Sequence, residues 1–382
     1  MIVDNKMIEI CKKEECTGCF ACENCCPHSS ITMLEDEYGF VFPNINQETC
    51  TGCGLCEKVC PAVTELKFLY PENAYAFWND RFRETSTSGG ASATFAQHFI
   101  NNNGVVYGAA HIEGCEVKHI RIDSADQLYR LQGSKYVHSY VNETFKLVKK
   151  DLLKGKEVIY FGTPCQIAGL KLFLIKEYEG LFLVDIICHG VPSQKFLNEE
   201  IHFFVGNKII EKFSFRGPDG FRLKFYSNGR LLKNIAQTES MYYRSFLKGI
   251  TYRECCYFCK FARPERIADL TIGDFWGIGK EDKCDYLNTL DKGISVLLPI
   301  TLRGKKLIDI VKKGEGFIQE RPVTEAINGN SQLYEFVSKS KEAVIFQKTY
   351  LKKGFHKAVK RALFVELLKE RIKKIIGWNQ VS

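Results

Sequence analysis

Two runs of cysteine near the N-terminus are the residues most able to do chemistry: Cys16, Cys19, Cys22 and Cys26 before Pro27, and Cys50, Cys53, Cys56 and Cys60 before Pro61. Each reads C-x2-C-x2-C-x3-C-P, a spacing that holds cubane 4Fe–4S clusters. Three closely spaced thiolates wrap one face of a cube, and the fourth must arrive from elsewhere in the chain. Zinc also takes C-x2-C pairs. Two such pairs would leave the three-in-a-row spacing and both C-P endings unexplained. Such clusters exchange single electrons, so the motif points to a redox protein.

In two-cluster ferredoxins the fourth ligand comes from the other run. The expected sets are therefore Cys16, Cys19, Cys22 and Cys60 for one cluster, and Cys50, Cys53, Cys56 and Cys26 for the other. Cys25 is expected to be a spectator, because the x3 spacing and Pro27 select Cys26. A second constellation lies downstream: Cys165, Cys188, Cys256 and Cys259, with Cys115, Cys255 and Cys284 as extras. Cys165 and Cys188 each follow an expected buried strand, and ligands collect at such carboxyl ends in open α/β sheets. The four thiols have the makings of a third 4Fe–4S site. Their spacing alone fits buried apolar thiols equally well.

The chain of 382 residues is long enough for two or three domains, with 45% hydrophobic and 26% charged residues. Its 17 cysteines are unusual. Residues 1–10 lack the basic, apolar and small-residue succession of a secretory signal. No run approaches the roughly 18 apolar residues of a membrane span. A reducing cytoplasm, with thiols committed to metal, is the expected setting. The net charge of +8 is concentrated late, because residues 339–374 hold twelve Lys or Arg against three Glu. The body is near neutral and carries no recognisable nucleic-acid module, so no nucleic-acid partner is expected.

These residues need elements to position them. Residues 7–70 form the expected ferredoxin module, with a hairpin of 31–34 and 40–42 about the turn 35–39. An α/β body follows over 71–335. Strands are expected at 105–110, 119–122, 158–161, 181–187, 270–273 and 294–301, and helices at 91–100, 144–153 and 302–313. Segments 222–227 and 230–235 flank Asn228-Gly229, a strong hairpin signal. Strand–loop–helix repeats through Cys165 and Cys188 argue for parallel strands with crossover helices. The fold class is thus α/β (α+β), with the ferredoxin module in front and a basic helical tail over 336–382.

Several segments occur in a fixed order: Thr87-Ser88-Gly89-Gly90, Gly133-Ser134-Lys135-Tyr136, Gly162-Thr163-Pro164-Cys165-Gln166, Cys188-His189-Gly190-Val191-Pro192-Ser193 and Gly273-Asp274-Phe275-Trp276-Gly277. With Cys256 and Cys259 they resemble the coenzyme F420 hydrogenase/dehydrogenase beta-subunit family, in its bacterial branch with a two-cluster ferredoxin fused in front. The resemblance covers residues 10–330. It implies a body that binds FAD and a 4Fe–4S cluster and exchanges electrons with a deazaflavin or another acceptor. It also implies that Cys165, Cys188, Cys256 and Cys259 are ligands. Local physics admits the flavin too. Ser88, Gly89 and Gly90 precede an apolar helix, whose N-terminal N–H groups favour phosphate, although they also suit an ordinary cap. Lys135 is a candidate counter-charge. No G-x-G-x-x-G follows a strand, so a nicotinamide Rossmann site is not supported.

His189 beside Cys188 invites proton transfer or a plain loop contact, and Asp269 and Asp274 bracket a strand at the expected pocket. The expected function is an iron–sulfur flavoprotein oxidoreductase, with a redox partner protein or a small-molecule electron acceptor. The alternative is an electron-transfer subunit or biosynthetic helper with clusters and no hydride chemistry. In the tail, Phe355, Val359, Leu363, Leu367, Ile372 and Ile375 or Ile376 recur at near-helical spacing among lysines and arginines, with Trp378 beyond. This pattern suits a basic amphipathic helix that lies on an anionic membrane, docks an acidic partner, or folds back on the body.

Overall fold

The computed structural model describes residues 9–112, 115–217 and 219–375. Ile376 and Trp378 of the tail lie outside the described residues.

The ferredoxin segment is built on one hairpin, β1 (Ile31–Glu35) and β2 (Val41–Ile45), paired antiparallel with Glu35 opposite Val41. In the body, β3 (Ala74–Trp78), β4 (Val105–His111), β5 (Val117–Ile122), β6 (Val158–Gly162) and β7 (Leu181–Ile186) come first. Next are β8 (Lys212–Gly217), β9 (Gly220–Ser227) and β10 (Arg230–Ala236), a separate three-stranded antiparallel sheet in the order β10-β9-β8. Finally β11 (Leu270–Asp274), β12 (Ser295–Pro299) and β13 (Phe317–Arg321) complete an eight-stranded sheet ordered β13-β3-β12-β11-β7-β6-β4-β5.

β11, β7, β6 and β4 run parallel at the centre of that sheet, while β12, β3, β13 and β5 add antiparallel edges. Side chains of the central strands alternate between two cores. Val105, Tyr107, Val158, Tyr160, Leu181 and Leu183 pack with the helices Thr144–Leu153 and Pro164–Leu174. Val106, Ile159, Phe182 and Val184 pack with Ala91–Asn101 and Leu302–Lys313 on the other face. Strands covered on both faces read as unbroken apolar runs, which is why these segments stand out in the sequence.

The ferredoxin segment is set into the first of these cores, to which Cys19, Phe20, Ala21, Val41 and Val59 belong. Gly169, midway along the helix Pro164–Leu174, makes this approach possible: a Cβ there would lie 2.9 Å from Cys19 Sγ. Asn24 fastens the same junction, its amide donating to Phe20 O (2.9 Å) and Asn142 O (2.6 Å).

The tail is three helices, Lys341–Lys353, Phe355–Ala362 and Phe364–Ile375, rather than one: Gly354 turns the chain after the first at φ +73°, and Leu363 caps the second. Phe346, Tyr350, Phe355, Val359 and Leu363 are buried with Phe196, Phe215 and Tyr242. Arg244 reaches Glu366 (2.7 Å) and Glu370 (2.6 Å). Up to Leu363 the tail is core. Beyond it Phe364, Val365, Leu368, Ile372 and Ile375 are exposed.

Candidate iron–sulfur sites along the sheet edge

Both expected N-terminal quartets come together. Cys26, Cys50, Cys53 and Cys56 line one cavity. Cys16, Cys19, Cys22 and Cys60 form the other group, since Cys22 lies within electrostatic reach of Cys19, Cys16 and Cys60. The runs share a spacing and differ in setting. Cys16, Cys19, Cys22 and Cys60 are buried, whereas Cys50 and Cys56 are half-buried and Cys53 is exposed.

The downstream cysteines converge as well. Cys165, Cys188, Cys256 and Cys259 line one pocket, together with Cys255, His138, His189, Arg253, Lys260 and Arg266. Three loops supply them. Cys165 sits at the start of the helix Pro164–Leu174, where Thr163 and Gln166 form a reciprocal capping box. Cys188 follows β7, and the 3-10 turn Glu254–Phe258 presents Cys255 and Cys256 with Cys259 at its end. Cys115 and Cys284 lie elsewhere, in separate cores.

The donor sets fit the groups expected there. Backbone N–H groups aim at the sulfurs: Gly18 at Cys16, Ala21 at Cys19, Ala62 and Val63 at Cys60, Gly190 at Cys188, and Phe261 and Ala262 at Cys259. Hydrogen bonds to thiolate sulfur stabilise the ligating form and tune a cluster's potential. Burial opposes ionisation, pushing Cys19 and Cys188 up to about 12 and Cys165 and Cys22 well above the usual thiol range, while Cys256 is raised first by its hydrogen bond with the Cys255 thiol and then by burial. Cys16 is held down to about 6 and Cys60 to about 7, first because the Cys11 thiol donates to both. Among the described residues, no group of three or more His, Cys, Asp or Glu closes to the arrangement of a single metal ion.

Several neighbours escaped the sequence reading. Cys11 lies outside both runs, and Cys255 was set aside as an extra. Arg253 carries no motif and is placed by tertiary contacts alone. Cys25, expected to be a spectator, donates to Cys22 O at 3.3 Å and lies within electrostatic reach of Cys56, Cys26 and Cys53.

The expected flavin residues lie further along the same sheet edge and do not line the cysteine pocket. Gly89 has a packing role: a Cβ there would sit 2.1 Å from Phe77 O and 2.7 Å from Ser295 N. Gly90 caps the following helix at φ +85°. Thr87 and Ser134 are hydrogen-bonded at 2.8 Å, which joins the Ser88 and Lys135 segments. The Lys135 ammonium turns to the carbonyls of Leu131 (2.8 Å) and Gln132 (2.9 Å), and burial pushes it down to about 7. Asp269 is structural, accepting from Leu183 N (2.8 Å) and Thr301 Oγ1 (2.6 Å) at the opposite edge of β11. Asp274, at the carboxyl end of β11, pairs with Arg216 at 2.7 Å. His189 lines the pocket, and burial lowers its pKa.

Residues 155–326 match the family described as the C terminus of the coenzyme F420 hydrogenase/dehydrogenase beta subunit. Residues 15–63 match the 4Fe-4S dicluster domain. No curated protein matches. Among solved structures, a chain of the F420-reducing NiFe hydrogenase complex from Methanosarcina barkeri aligns at 14% identity, over 70% of this chain and 94% of that one, with a TM-score of 0.45.

Proposed function

The chain joins a 4Fe-4S dicluster domain to a C-terminal domain of the coenzyme F420 hydrogenase/dehydrogenase beta-subunit family, and from that premise we propose an iron–sulfur oxidoreductase with three sites in line. The Cys50 quartet faces a protein redox partner, the buried Cys16 quartet follows, and Cys165, Cys188, Cys256 and Cys259 hold a third 4Fe–4S group in the body. Groups held this way supply single-electron exchange. The chain's own residues set the spacing, exclude water and aim hydrogen bonds at sulfur. One observation carries the reading: Cys255, in the body's pocket, lies within electrostatic reach of Cys16. The two sites are therefore neighbours.

We further propose a flavin, FAD by the family resemblance, along the carboxyl edge from the cysteine pocket towards Ser88, Gly89 and Gly90. Its supports are the ends of β6, β7 and β11 on one edge, where ligands bind in such sheets, and His189, Asp274 and the exposed Trp276 beside it. A bound flavin would let two-electron chemistry be divided into single electrons.

Anaerobic purification with iron, acid-labile sulfide and flavin quantitation tests both parts. About twelve irons per chain are expected, four per cubane, with four lost in Cys259→Ala. Saturation at about eight irons, unchanged in Cys259→Ala, removes the third site. Iron-replete protein that neither retains nor binds FAD removes the flavin and leaves an electron-transfer subunit without hydride chemistry.

A further inference from the structure

Two cations stand between the Cys16 quartet and the body's cysteine pocket, and the thiol pattern calls for neither. Arg253 is 1% exposed. Its Nε donates to Cys16 O at 2.6 Å and its Nη2 to Val41 O at 2.9 Å, while Nη1 has no nitrogen or oxygen acceptor among the described residues and the guanidinium lies within reach of the Cys16 and Cys255 thiols. The guanidinium lies 4.3 Å from the Phe42 ring centroid. No carboxylate pairs with it among the described residues, and the titratable groups nearest it are the thiols of Cys16, Cys255 and Cys256. Lys260, the residue after Cys259, is exposed and lines the rim of the same pocket. Its Nζ reaches Ala62 O at 3.4 Å, and Cys60, Glu15 and Cys259 are its charged neighbours.

A buried guanidinium without a counter-ion is costly unless something else supplies the negative charge. At Arg253 only the two thiol sites can do so, one on each side. We propose that Arg253 and Lys260 form a cationic clasp between the Cys16 quartet and the Cys165 quartet, holding negative charge at both and raising both reduction potentials together. Adding an electron makes an iron–sulfur site more negative, and a fixed cation in a poorly screened interior favours that state. The Cys50 quartet is the internal control, because the clasp's contacts all go to the other two. The inference rests on the reading of Cys165, Cys188, Cys256 and Cys259 as a third cluster site.

The test is an anaerobic potentiometric titration of the full, iron-loaded chain, followed by electron paramagnetic resonance. Potentials are assigned by the signal missing in Cys53→Ala. In Arg253→Gln the potentials of the Cys16 and Cys165 sites should fall by about 59 mV or more, a tenfold change in a one-electron equilibrium, with the Cys50 site unmoved. Lys260→Gln should move the same two in the same direction by less. A merely structural Arg253 would lower thermal stability in Arg253→Gln and Arg253→Lys alike and move no potential. If Arg253→Gln does not load, Lys260→Gln, at an exposed position, decides alone. Twelve irons with both potentials unmoved overturns the clasp. A wild type with about eight irons and two potentials overturns the third-site reading, and the clasp with it.

Discussion

The two N-terminal cysteine runs have the same spacing and the same trailing proline, yet the two quartets they build together occupy opposite environments. In the Cys50 quartet, Cys56 sits on a short helix, Leu55–Lys58, which has no buried residue, and Cys53 is open to solvent. The Cys16 quartet is buried against Pro164–Leu174 and the turn that carries Arg253. A repeated motif thus specifies the same ligation twice, while the surroundings divide the roles. Solvent exposure and charge tune an iron–sulfur site as strongly as its ligands do. The exposed run is suited to meet a partner, and the buried run to connect inward.

That contrast can be broken experimentally. The largest effect should appear when anaerobic protein meets air or a chelator. The Cys50 quartet should lose its iron at least about tenfold faster than the buried one, in keeping with the dependence of thiolate oxidation on access. Uniform loss, followed by site-resolved paramagnetic signals, would erase the distinction.

Next comes Asp185→Ala. Asp185 is fully buried and accepts from Arg266 Nη2 at 2.8 Å, and Arg266 lines the body's cysteine pocket. Removing one partner of a buried pair costs about 3–5 kcal/mol. The melting temperature should fall, and iron should be lost from the Cys165 site before the Cys50 site. A loss below about 1 kcal/mol would mean that water reaches Arg266.

Gly169→Ala should cost about 1–3 kcal/mol by overpacking, because the new Cβ meets Cys19 Sγ. Iron loss should be selective for the Cys16 quartet. Equal retention at both quartets would show that the ferredoxin segment can shift outward freely.

The smallest effect is expected at the exposed run. Lys58→Ala should change stability by no more than about 0.5 kcal/mol, as surface substitutions usually do. A larger change in chemical denaturation would reveal a contact on that face.

Much of this was legible in the sequence. Strands β4, β6 and β7 were readable because near-continuous apolar runs mark strands buried on both faces. The helices Thr144–Leu153 and Leu302–Lys313 fell at their expected bounds. β3 and β13 were not marked as strands, and only pairing across the sheet makes them so. The tail's helical period from Phe355 was visible, but a break at Leu363 divides it into two helices, and whether Phe355 and Val359 faced water or core depended on Phe196 and Tyr242, far away in the chain. At Gly89 the glycine was read as room for phosphate. In the fold it packs closely against β3 and β12, a role that no local pattern distinguishes.

By itself, the sequence determined that thiols gather in groups suited to iron–sulfur clusters, because cysteine spacing over a few bonds restricts what they can wrap. It also determined a mixed α/β body, because hydrophobic period reports burial strand by strand. Only the tertiary structure decided which run is buried, which thiols from three loops share a pocket, and where Arg253 lies. The Arg253–Cys16 contact joins residues 237 positions apart. Electrostatics and burial act through space, and at that separation the order of residues says nothing about distance.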